Sequence, residues 1–269
     1  MKSNLSVLIP TRGRTDMLDR SLSSLLDKAN NTKQIEFLIA FDDDDNESLE
    51  YFLNNIAPKI DAVGSEYTVF EMPRFGYGNL HQYLNILGSE AEADWWVFWN
   101  DDAIMQDTDW DKEILKAGDT FTIQCFDTHN HHPYSIFPIV PRAWFDTLGH
   151  LSRHPLNDAY ISQIGYLLDI MSRIPIRVEH DRFDLTGENK DETFDNRPLD
   201  QLEGNPKNPR DFNYHTQLQL RQQDANKLAI YLSSQGYELE HWTKSITKQV
   251  DPWEKMFAAD PNNQVSRLS

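Results

Sequence analysis

The sequence is short of basic residues and of cysteine. Lysine and arginine number 25 against 43 aspartates and glutamates, which gives a net charge of -18. Phosphate backbones and anionic lipids attract basic patches, so this charge argues against nucleic acid and anionic membranes as partners. Cys125 is the only cysteine, so no disulfide can form within the chain, and a reducing, cytoplasmic location is expected.

Long apolar runs are also missing from the sequence. No run reaches the length of a transmembrane segment, and the first ten residues, MKSNLSVLIP, do not have the pattern of a signal peptide. A length of 269 residues suits one large domain or a domain with an extension. The composition therefore agrees with a soluble enzyme.

The first half of the chain alternates short apolar strands with amphipathic helices. Strands are predicted at residues 5–9, 35–41, 67–70 and 95–99, and helices at about 17–26, 47–56 and 80–87. Pro10 is expected to end the first strand, and Asp16 to cap the first helix. This alternation predicts an α/β fold with a mainly parallel sheet flanked by helices.

The pattern is looser after residue 102. Further strands are predicted at residues 121–126, 136–140 and 174–178, and helices at 158–172 and about 214–234. Residues 187–213 are rich in glycine, asparagine, aspartate and proline. Such a composition indicates a loop or a mobile segment.

The most informative stretch is the apolar run from Trp95 to Trp99, which ends in Asn100, Asp101 and Asp102. Aromatic and β-branched residues favour a buried strand, so the two carboxylates are expected where a core strand emerges at its carboxyl end. In open α/β sheets, ligands bind at that edge. Carboxylates there can hold a divalent cation, and the cation can hold phosphates.

Two other predicted strands end at the same edge of a parallel sheet. The first runs into Pro10-Thr11-Arg12-Gly13-Arg14, and the second runs into four aspartates, Asp42 to Asp45. Arginine suits a diphosphate, and carboxylates can accept from a base N–H or from ribose hydroxyls. The turns together predict a nucleotide-sugar site. A solvated turn that caps the next helix is the alternative for the aspartates.

The motifs VLIPTRGR, FDDDDNES and FWNDDA, in this order, resemble those of GT-A fold glycosyltransferases, particularly the family 2 type. The resemblance covers about residues 4–185. It implies a GT-A (Rossmann-like) fold, a nucleotide-diphospho-sugar donor, which we take to be a UDP-sugar, and a divalent metal, Mn2+ or Mg2+.

The resemblance also divides the chain. Residues 1–186 form the expected glycosyltransferase domain, with a nucleotide-binding half of about 1–102 and an acceptor half of about 103–186. Residues 187–269 form a C-terminal extension, which is expected to be loop-rich and then helical.

The resemblance implies which residues contact the nucleotide. Pro10 and Arg12 occupy the positions at which the family's first loop touches it, and Asp42 and Asp43 match the pair that reads uracil and ribose. That loop usually reads Thr-Tyr-Asn, whereas this chain has Thr11-Arg12-Gly13. The aromatic face that stacks on the base is missing, although a guanidinium can stack as well.

A metal site and a charge near the diphosphate are implied as well. Asp102 is the expected direct metal ligand, with Asp101 nearer the ribose. His180 stands where many GT-A enzymes place a further metal ligand, and a surface histidine paired with a neighbouring acid is the alternative. Arg74 is expected to supply the positive charge near the diphosphate.

An inverting transfer needs a carboxylate that removes the proton from the acceptor hydroxyl. In the family, an acidic pair that opens a helix after an Arg…Phe…Gly stretch does this. Here such a stretch at residues 142–149 is followed by Asn157 and Asp158. Asp158 is therefore the expected catalytic base, with a helix cap as its alternative role.

The leading hypothesis is a metal-dependent inverting glycosyltransferase that acts on a hydroxyl of a glycan or another acceptor. One alternative is a nucleotidyltransferase that makes nucleotide sugars. Such enzymes usually have a glycine-rich loop after the first strand, whereas Gly13 is the only glycine near that position. The other is a non-catalytic carbohydrate-binding or assembly module on the same fold, against which Asp102 and Asp158 argue.

Overall fold

One eight-stranded sheet organises the part of the chain that the computed structural model describes. That part comprises residues 3–117, 123–128, 136–181, 197–202 and 204–237, together with residues 195 and 239; for residues 123–128 it is limited to the backbone. The strands are β1 (Leu5–Thr11), β2 (Ile35–Asp42), β3 (Glu66–Met72), β4 (Trp95–Phe98), β5 (Ala103–Met105), β6 (Ile123–Thr128), β7 (Ile139–Pro141) and β8 (Met171–His180).

Helices flank this sheet, as expected for an α/β fold. They are α1 (Thr15–Lys28), α2 (Asn46–Tyr51), α3 (Ala57–Val63), α4 (Leu80–Glu90), α5 (Trp110–Ala117), α6 (Arg142–Leu148), α7 (Asn157–Leu168), α8 (Leu199–Leu202) and α9 (His215–Ser234). Short 3-10 turns lie at Thr32–Gln34 and Tyr77–Asn79. Among the described residues, no helix has both the length and the apolar character needed to cross a membrane.

Parallel strands dominate the sheet and align their carboxyl ends. The strand order is β3-β2-β1-β4-β7-β6-β8-β5. β1 is parallel to β2 and β4, and β2 is parallel to β3. β7 is antiparallel to β4 and β6, whereas β8 is parallel to β6. β8 therefore runs in the direction of β4, and the ends of β1, β2, β4 and β8 meet at one edge, here called the carboxyl edge.

Side chains alternate across the sheet and build an apolar core on each face. Val7 and Ile9 of β1 pack with residues of α1, α3 and α5 on one face. Leu8 packs with residues of α4, α6, α7 and α9 on the other. Leu228 and Leu232 of α9 are fully buried in this second core. The helix predicted within the extension thus shares a core with helices of the first 186 residues.

Two boundaries predicted for the first strand and helix were wrong. β1 continues through Pro10, which lies opposite Ala40 of β2. The carbonyl of Leu8 points towards β4 and accepts from the N–H of Trp99, just past the end of that strand. Residues two apart in a strand direct their backbone groups to the same side, so Pro10 also faces the β4 side, but beyond the last residue of β4. Its missing N–H therefore removes no bond from the ladder. Asp16 is not the cap of α1, because the helix already begins at Thr15.

The helix predicted at residues 47–56 is longer than its sequence pattern indicates. It runs as α2, a π-helical turn at Phe52–Ile56 and then α3, which ends at Val63. Pro58 directly follows the π-helical turn, at the start of α3, so its missing N–H falls where the regular α-helical bonding is already interrupted. The predicted helix 158–172 instead ends at Leu168, and β8 begins at Met171. The boundary predicted between residues 186 and 187 lies outside the described residues.

Candidate active site

Two buried carboxylates follow β4 at the carboxyl edge. Asp101 and Asp102 are only 5% and 6% exposed. Thr11 Oγ1 donates to Asp101 at 2.8 Å, and Arg14 Nη1 donates to Asp101 at 2.8 Å. The same Arg14 nitrogen lies 3.5 Å from Asp102 Oδ2. Burial raises the pKa of Asp101, against the opposing effect of the Arg14 charge.

Strand register brings His180 to these carboxylates. β5 is antiparallel to β8 and places Ala103 opposite His180. The Asp181 N–H donates to the Asp102 carbonyl at 2.8 Å and extends this pairing by one residue. His180 Nε2 therefore lies 3.0 Å from Asp102 Oδ1. His180 is buried, so it is not the surface histidine considered as the alternative.

The turn after β2 provides a second carboxylate of this kind. Asp42 is 5% exposed, and Arg12 Nη1 donates to its Oδ2 at 3.0 Å. The Tyr83 hydroxyl of α4 also donates to Asp42. Burial, with help from this carboxylate, raises the pKa of Tyr83 to about 12. Asp42 is thus held in place by a guanidinium on one oxygen and a phenol on the other.

The neighbouring predicted residues lie at the rim of the site. Asp43 is exposed, and its N–H donates to the Met72 carbonyl at 2.7 Å. Arg74 Nη1 lies 3.8 Å from Asp44, with both side chains about half exposed. Arg12 donates to Asp44 as well, and this bond holds the pKa of Asp44 below its usual value.

Gly13 fixes the turn between β1 and α1. Its φ of +63° lies in the left-handed region, which strains residues with a side chain. Its N–H donates to Asp45 Oδ2 at 2.8 Å and lies 3.2 Å from Ser48 Oγ. Asp45 holds the N-cap position of α2 without a side-chain cap bond. The aspartate turn therefore binds the Gly13 turn instead of capping its own helix.

The predicted base Asp158 lies in the first turn of α7, where it is half-buried. Leu156 holds the N-cap position, so Asp158 is not the cap. Its Oδ1 accepts from the N–H of Ala159 at 2.8 Å. A tight turn joins the other end of α7 to the start of β8. The first turn of α7 is therefore on the side of the sheet where β8 ends at His180.

Solved glycosyltransferases share this fold. A mannosyltransferase from Pyrobaculum calidifontis, PcManGT in complex with GDP-Man and Mn2+, matches 100% of this chain over 87% of its own, with a TM-score of 0.56 and 11% identity. S. aureus TarS 1-349 in complex with UDP-GlcNAc matches 96% of this chain over 80% of its own, with a TM-score of 0.51 and 14% identity. This chain has a GT-A fold.

GalNAc-T7 with UDP, GalNAc and Mn2+ also has a similar structure. The match covers 66% of this chain and 44% of the other, with a TM-score of 0.51 and 14% identity. No protein-family model and no curated protein sequence matches the chain. At such low identities the likeness establishes the GT-A fold alone.

Three residues that contact the carboxylates at this edge, Thr11, Arg14 and Tyr83, were not assigned individual roles from the sequence. Thr11 and Arg14 belong to the first motif but carried no role, because a sequence does not indicate which carboxylate a turn residue will reach. Tyr83 follows the apolar spacing of α4, alongside Leu84 and Leu87, and a tyrosine at such a position more often packs in a core. The glycine before Arg14 was the one available signal, since it marks a tight turn.

Proposed function

We propose that this chain is a metal-dependent inverting glycosyltransferase. It transfers a sugar from a UDP-sugar to a hydroxyl group of a glycan or of another acceptor. The observation that carries the proposal is the meeting of two carboxylate turns, an arginine-bearing turn and a histidine at the carboxyl edge of a GT-A sheet. The likeness in fold to glycosyltransferases with bound nucleotide or nucleotide sugar supports it.

The nucleotide binds across the ends of β1 and β2. Asp42 and Asp43 accept hydrogen bonds from the uracil and the ribose, and Pro10 and Arg12 contact the nucleotide from the first turn. The bond from Tyr83 and the burial of Asp42 keep that carboxylate oriented before the donor arrives. Such preorganisation lowers the entropic cost of binding.

Asp101 and the arginines act on the ribose and the diphosphate. Asp101 contacts the ribose, and hydrogen bonds from Thr11 and Arg14 hold its carboxylate in a fixed orientation. Arg12 and Arg74 both lie beside Asp44 and can turn towards the diphosphate. Arginine pairs well with phosphate oxygens because its planar fork donates two parallel bonds.

Asp102 and His180 are the side chains that would hold the divalent cation. Among the described residues, no group of three or more His, Cys, Asp or Glu side chains is arranged as a metal site. A carboxylate oxygen and an imidazole nitrogen nevertheless lie 3.0 Å apart, and this donor pair suits Mn2+. The residues therefore fit a cation whose remaining ligands are phosphate or water oxygens. When bound, the cation neutralises charge on the departing diphosphate.

Asp158 acts on the acceptor. The acceptor oxygen attacks the anomeric carbon opposite the diphosphate, a new C–O bond forms, and the bond to the diphosphate breaks. Asp158 takes the proton of the attacking hydroxyl as general base. Because attack and departure occur on opposite faces, the anomeric configuration inverts.

A screen of nucleotide sugars tests the proposal. The full chain is incubated with each donor and Mn2+, Mg2+ or chelator, UDP release is measured, and the product anomer is determined by NMR. We expect metal-dependent UDP release and inversion. Retention of configuration would exclude the role of Asp158. Pyrophosphate release from UTP and a sugar 1-phosphate would favour a nucleotidyltransferase, and glycan binding without nucleotide affinity would favour a non-catalytic module.

The metal assignment is tested by Asp102→Ala. Metal-dependent UDP binding should be lost in the folded variant, since the direct metal ligand is removed. Loss of the repulsion between the two adjacent carboxylates opposes the loss of the contacts with His180 and Arg14, and thermal unfolding checks that the variant is folded. Asp107→Ala is the matched control. Asp102 directly precedes β5, whereas Asp107 lies past the last residue of this strand and pairs with Arg177 at 2.8 Å. Undiminished binding of Mn2+ and UDP to Asp102→Ala would show that the metal is held elsewhere.

A further inference from the structure

We propose that Arg14 makes cation binding at Asp102 and His180 dependent on the nucleotide diphosphate. The inference rests on the proposed function, since it concerns the same site. Arg14 Nη1 lies 2.8 Å from Asp101 Oδ1 and 3.5 Å from Asp102 Oδ2. One guanidinium thus spans both acids of the pair, including the expected metal ligand.

The surroundings keep this positive charge strong. Counted by side chain alone, Arg14 is 15% exposed, Asp101 7% and Asp102 9%. Solvent screening is therefore weak, and arginine stays protonated at every physiological pH. A divalent cation at Asp102 must bind close to this fixed charge and must share a carboxylate that the guanidinium already neutralises in part.

The diphosphate removes this penalty. Its negative charges attract both the cation and the guanidinium. The two positive groups repel each other when they are alone, whereas the diphosphate between them stabilises both. Binding coupling of this kind is reciprocal: UDP raises the affinity for the cation by the same factor by which the cation raises the affinity for UDP. Arg14 therefore keeps the cation weakly held until the donor is present.

The neighbouring arginines have other partners. Arg12 donates to Asp42 on the adjacent turn. Arg20 pairs with Asp181 at 2.7 Å and is half exposed. Gly13, with its positive φ, separates Arg12 from Arg14, and the two arginines reach different turns: Arg12 donates to Asp42 and Arg14 to Asp101.

Titration of the full chain with Mn2+ alone tests the proposal directly. Free Mn2+ is followed by electron paramagnetic resonance for the parent, Arg14→Gln and Arg14→Lys. At an effective dielectric constant of about 20, removal of one nearby charge should tighten Mn2+ binding to Arg14→Gln by at least about tenfold. Arg14→Lys keeps the charge and should stay within about threefold of the parent.

A second titration, with UDP present, measures the coupling. The factor by which UDP tightens Mn2+ binding should be smaller for Arg14→Gln than for the parent. Arg142→Gln is the charge-matched control: Arg142 donates to the Ala91 carbonyl at the opposite edge of the sheet, so both Mn2+ constants should match the parent. Thermal unfolding checks that each variant is folded, and Arg14→Met gives the same readout if Arg14→Gln does not fold.

Two results would overturn the role of Arg14. One is unchanged affinity for Mn2+ alone in the folded neutral variants. The other is an equal gain for Arg14→Lys, which would exclude charge as the cause. Failure of the proposed function reads differently: the parent would not bind UDP at any Mn2+ concentration, whereas the effect of Arg14 on Mn2+ alone is measured without nucleotide.

Discussion

The arginines at the carboxyl edge and the arginine at the interface between α7 and α9 differ in ion pairing and in exposure to solvent. At the edge, Arg12 and Arg14 pair with carboxylates and remain partly exposed. At the interface, Arg221 is fully buried and lies 3.6 Å above the Phe212 ring. None of its three guanidinium nitrogens has a hydrogen-bond partner among the described residues. Burial lowers the pKa of Arg221 to about 9.

The acid in the interface is also more deeply buried than the acids at the carboxyl edge. Asp224 of α9 is fully buried, accepts from the Tyr160 hydroxyl and lies 2.7 Å from His150 Nε2 and 3.1 Å from Arg153 Nη2. Arg12 and Arg14 at the edge keep some contact with solvent and can exchange a protein partner for a ligand, whereas Arg221 and Asp224 are fully enclosed by packing. Substitutions at the edge should therefore change binding and turnover, and substitutions in the interface should change the free energy of unfolding.

The largest effect is expected at Asp158 in the first turn of α7, because this residue is the proposed general base. Asp158→Asn keeps an oxygen that can accept from the Ala159 N–H but removes the proton acceptor. Transfer should fall by roughly two to four orders of magnitude, with donor affinity and unfolding temperature unchanged. Single-turnover transfer and calorimetry with UDP-sugar measure these quantities.

Asp158→Ala separates the two roles of this residue. A base predicts that both variants lose transfer, whereas a purely structural role predicts a normal rate for Asn and lost stability for Ala. Near-parental transfer by Asp158→Asn would move the base to another acid. Asp181, which directly follows His180, is the next candidate, whereas Asp146 is excluded because it pairs with Arg142 at the opposite edge of the sheet.

The next effect is expected at Asp224. Asp224→Ala leaves the Tyr160 hydroxyl and the Arg153 charge without their buried partner, so the free energy of unfolding should fall by about 3 kcal/mol. UDP affinity of the folded protein should stay unchanged. Chemical denaturation gives the stability, and Asp61→Ala, on the exposed face of α3, should change it by less than about 0.5 kcal/mol. A loss of UDP affinity with intact stability would contradict the division between the two regions.

A pH effect of somewhat smaller size is expected from His154. His154 is only 1% exposed. Its Nδ1 accepts from the Leu156 N–H at 3.1 Å, and its Nε2 donates to the Arg210 carbonyl at 2.9 Å. Burial lowers its pKa to about 4, whereas an unfolded histidine titrates near 6.5. Between these values the unfolded state binds more protons, so stability falls as the pH drops from about 6.5 to 4.

Urea denaturation at pH 7 and pH 4.5 measures this contribution. His154→Gln should lose about 2–3 kcal/mol less than the parent between the two pH values. The exposed His215 is the control, since His215→Gln should keep the parental pH dependence. An identical pH dependence in parent and His154→Gln would show that the pKa of this ring is not lowered in the folded protein.

The smallest effect is expected at Arg221. Arg221→Met keeps an unbranched chain against Phe212 and removes a buried charge whose desolvation is poorly compensated. Replacement of buried charges by apolar groups is often neutral or stabilising, so the free energy of unfolding should rise or stay within about 1 kcal/mol. A loss of about 3 kcal/mol would show that the folded protein does compensate the charge of Arg221. The interface would then resemble the carboxyl edge, where the arginines have stabilising partners.

The sequence predicted the parts of the molecule that depend on local patterns. Strand and helix periodicities gave the parallel sheet, and the polar ends of three strands placed Arg12, Asp42 and Asp101 at one edge. The pairing of β5 with β8 was not predicted, because three residues of β5 carry no recognisable pattern and their partner is more than 70 positions away. The contact between Asp102 and His180 depends on that pairing, so only the family resemblance indicated it.

The interface between α7 and α9 was also missed. A helix was predicted from about residue 214, and α9 begins at His215. Its hydrophobic pattern contains a buried Arg221 and a buried Asp224, whereas such residues normally mark an exposed face. Local periodicity therefore indicated the helix without indicating what it packs against.

The register of β8 also determines where the length of the chain can change. Ile174, Ile176, Val178 and His180 are buried in alternation with exposed residues. Cys125 pairs with Arg173 and Asp127 with Arg177, so β8 holds two more residues than β6 between these points. An even excess keeps His180 on its face, whereas a single added or deleted residue would turn it to the other side. Insertions and deletions along this strand should therefore be tolerated in pairs and harmful singly.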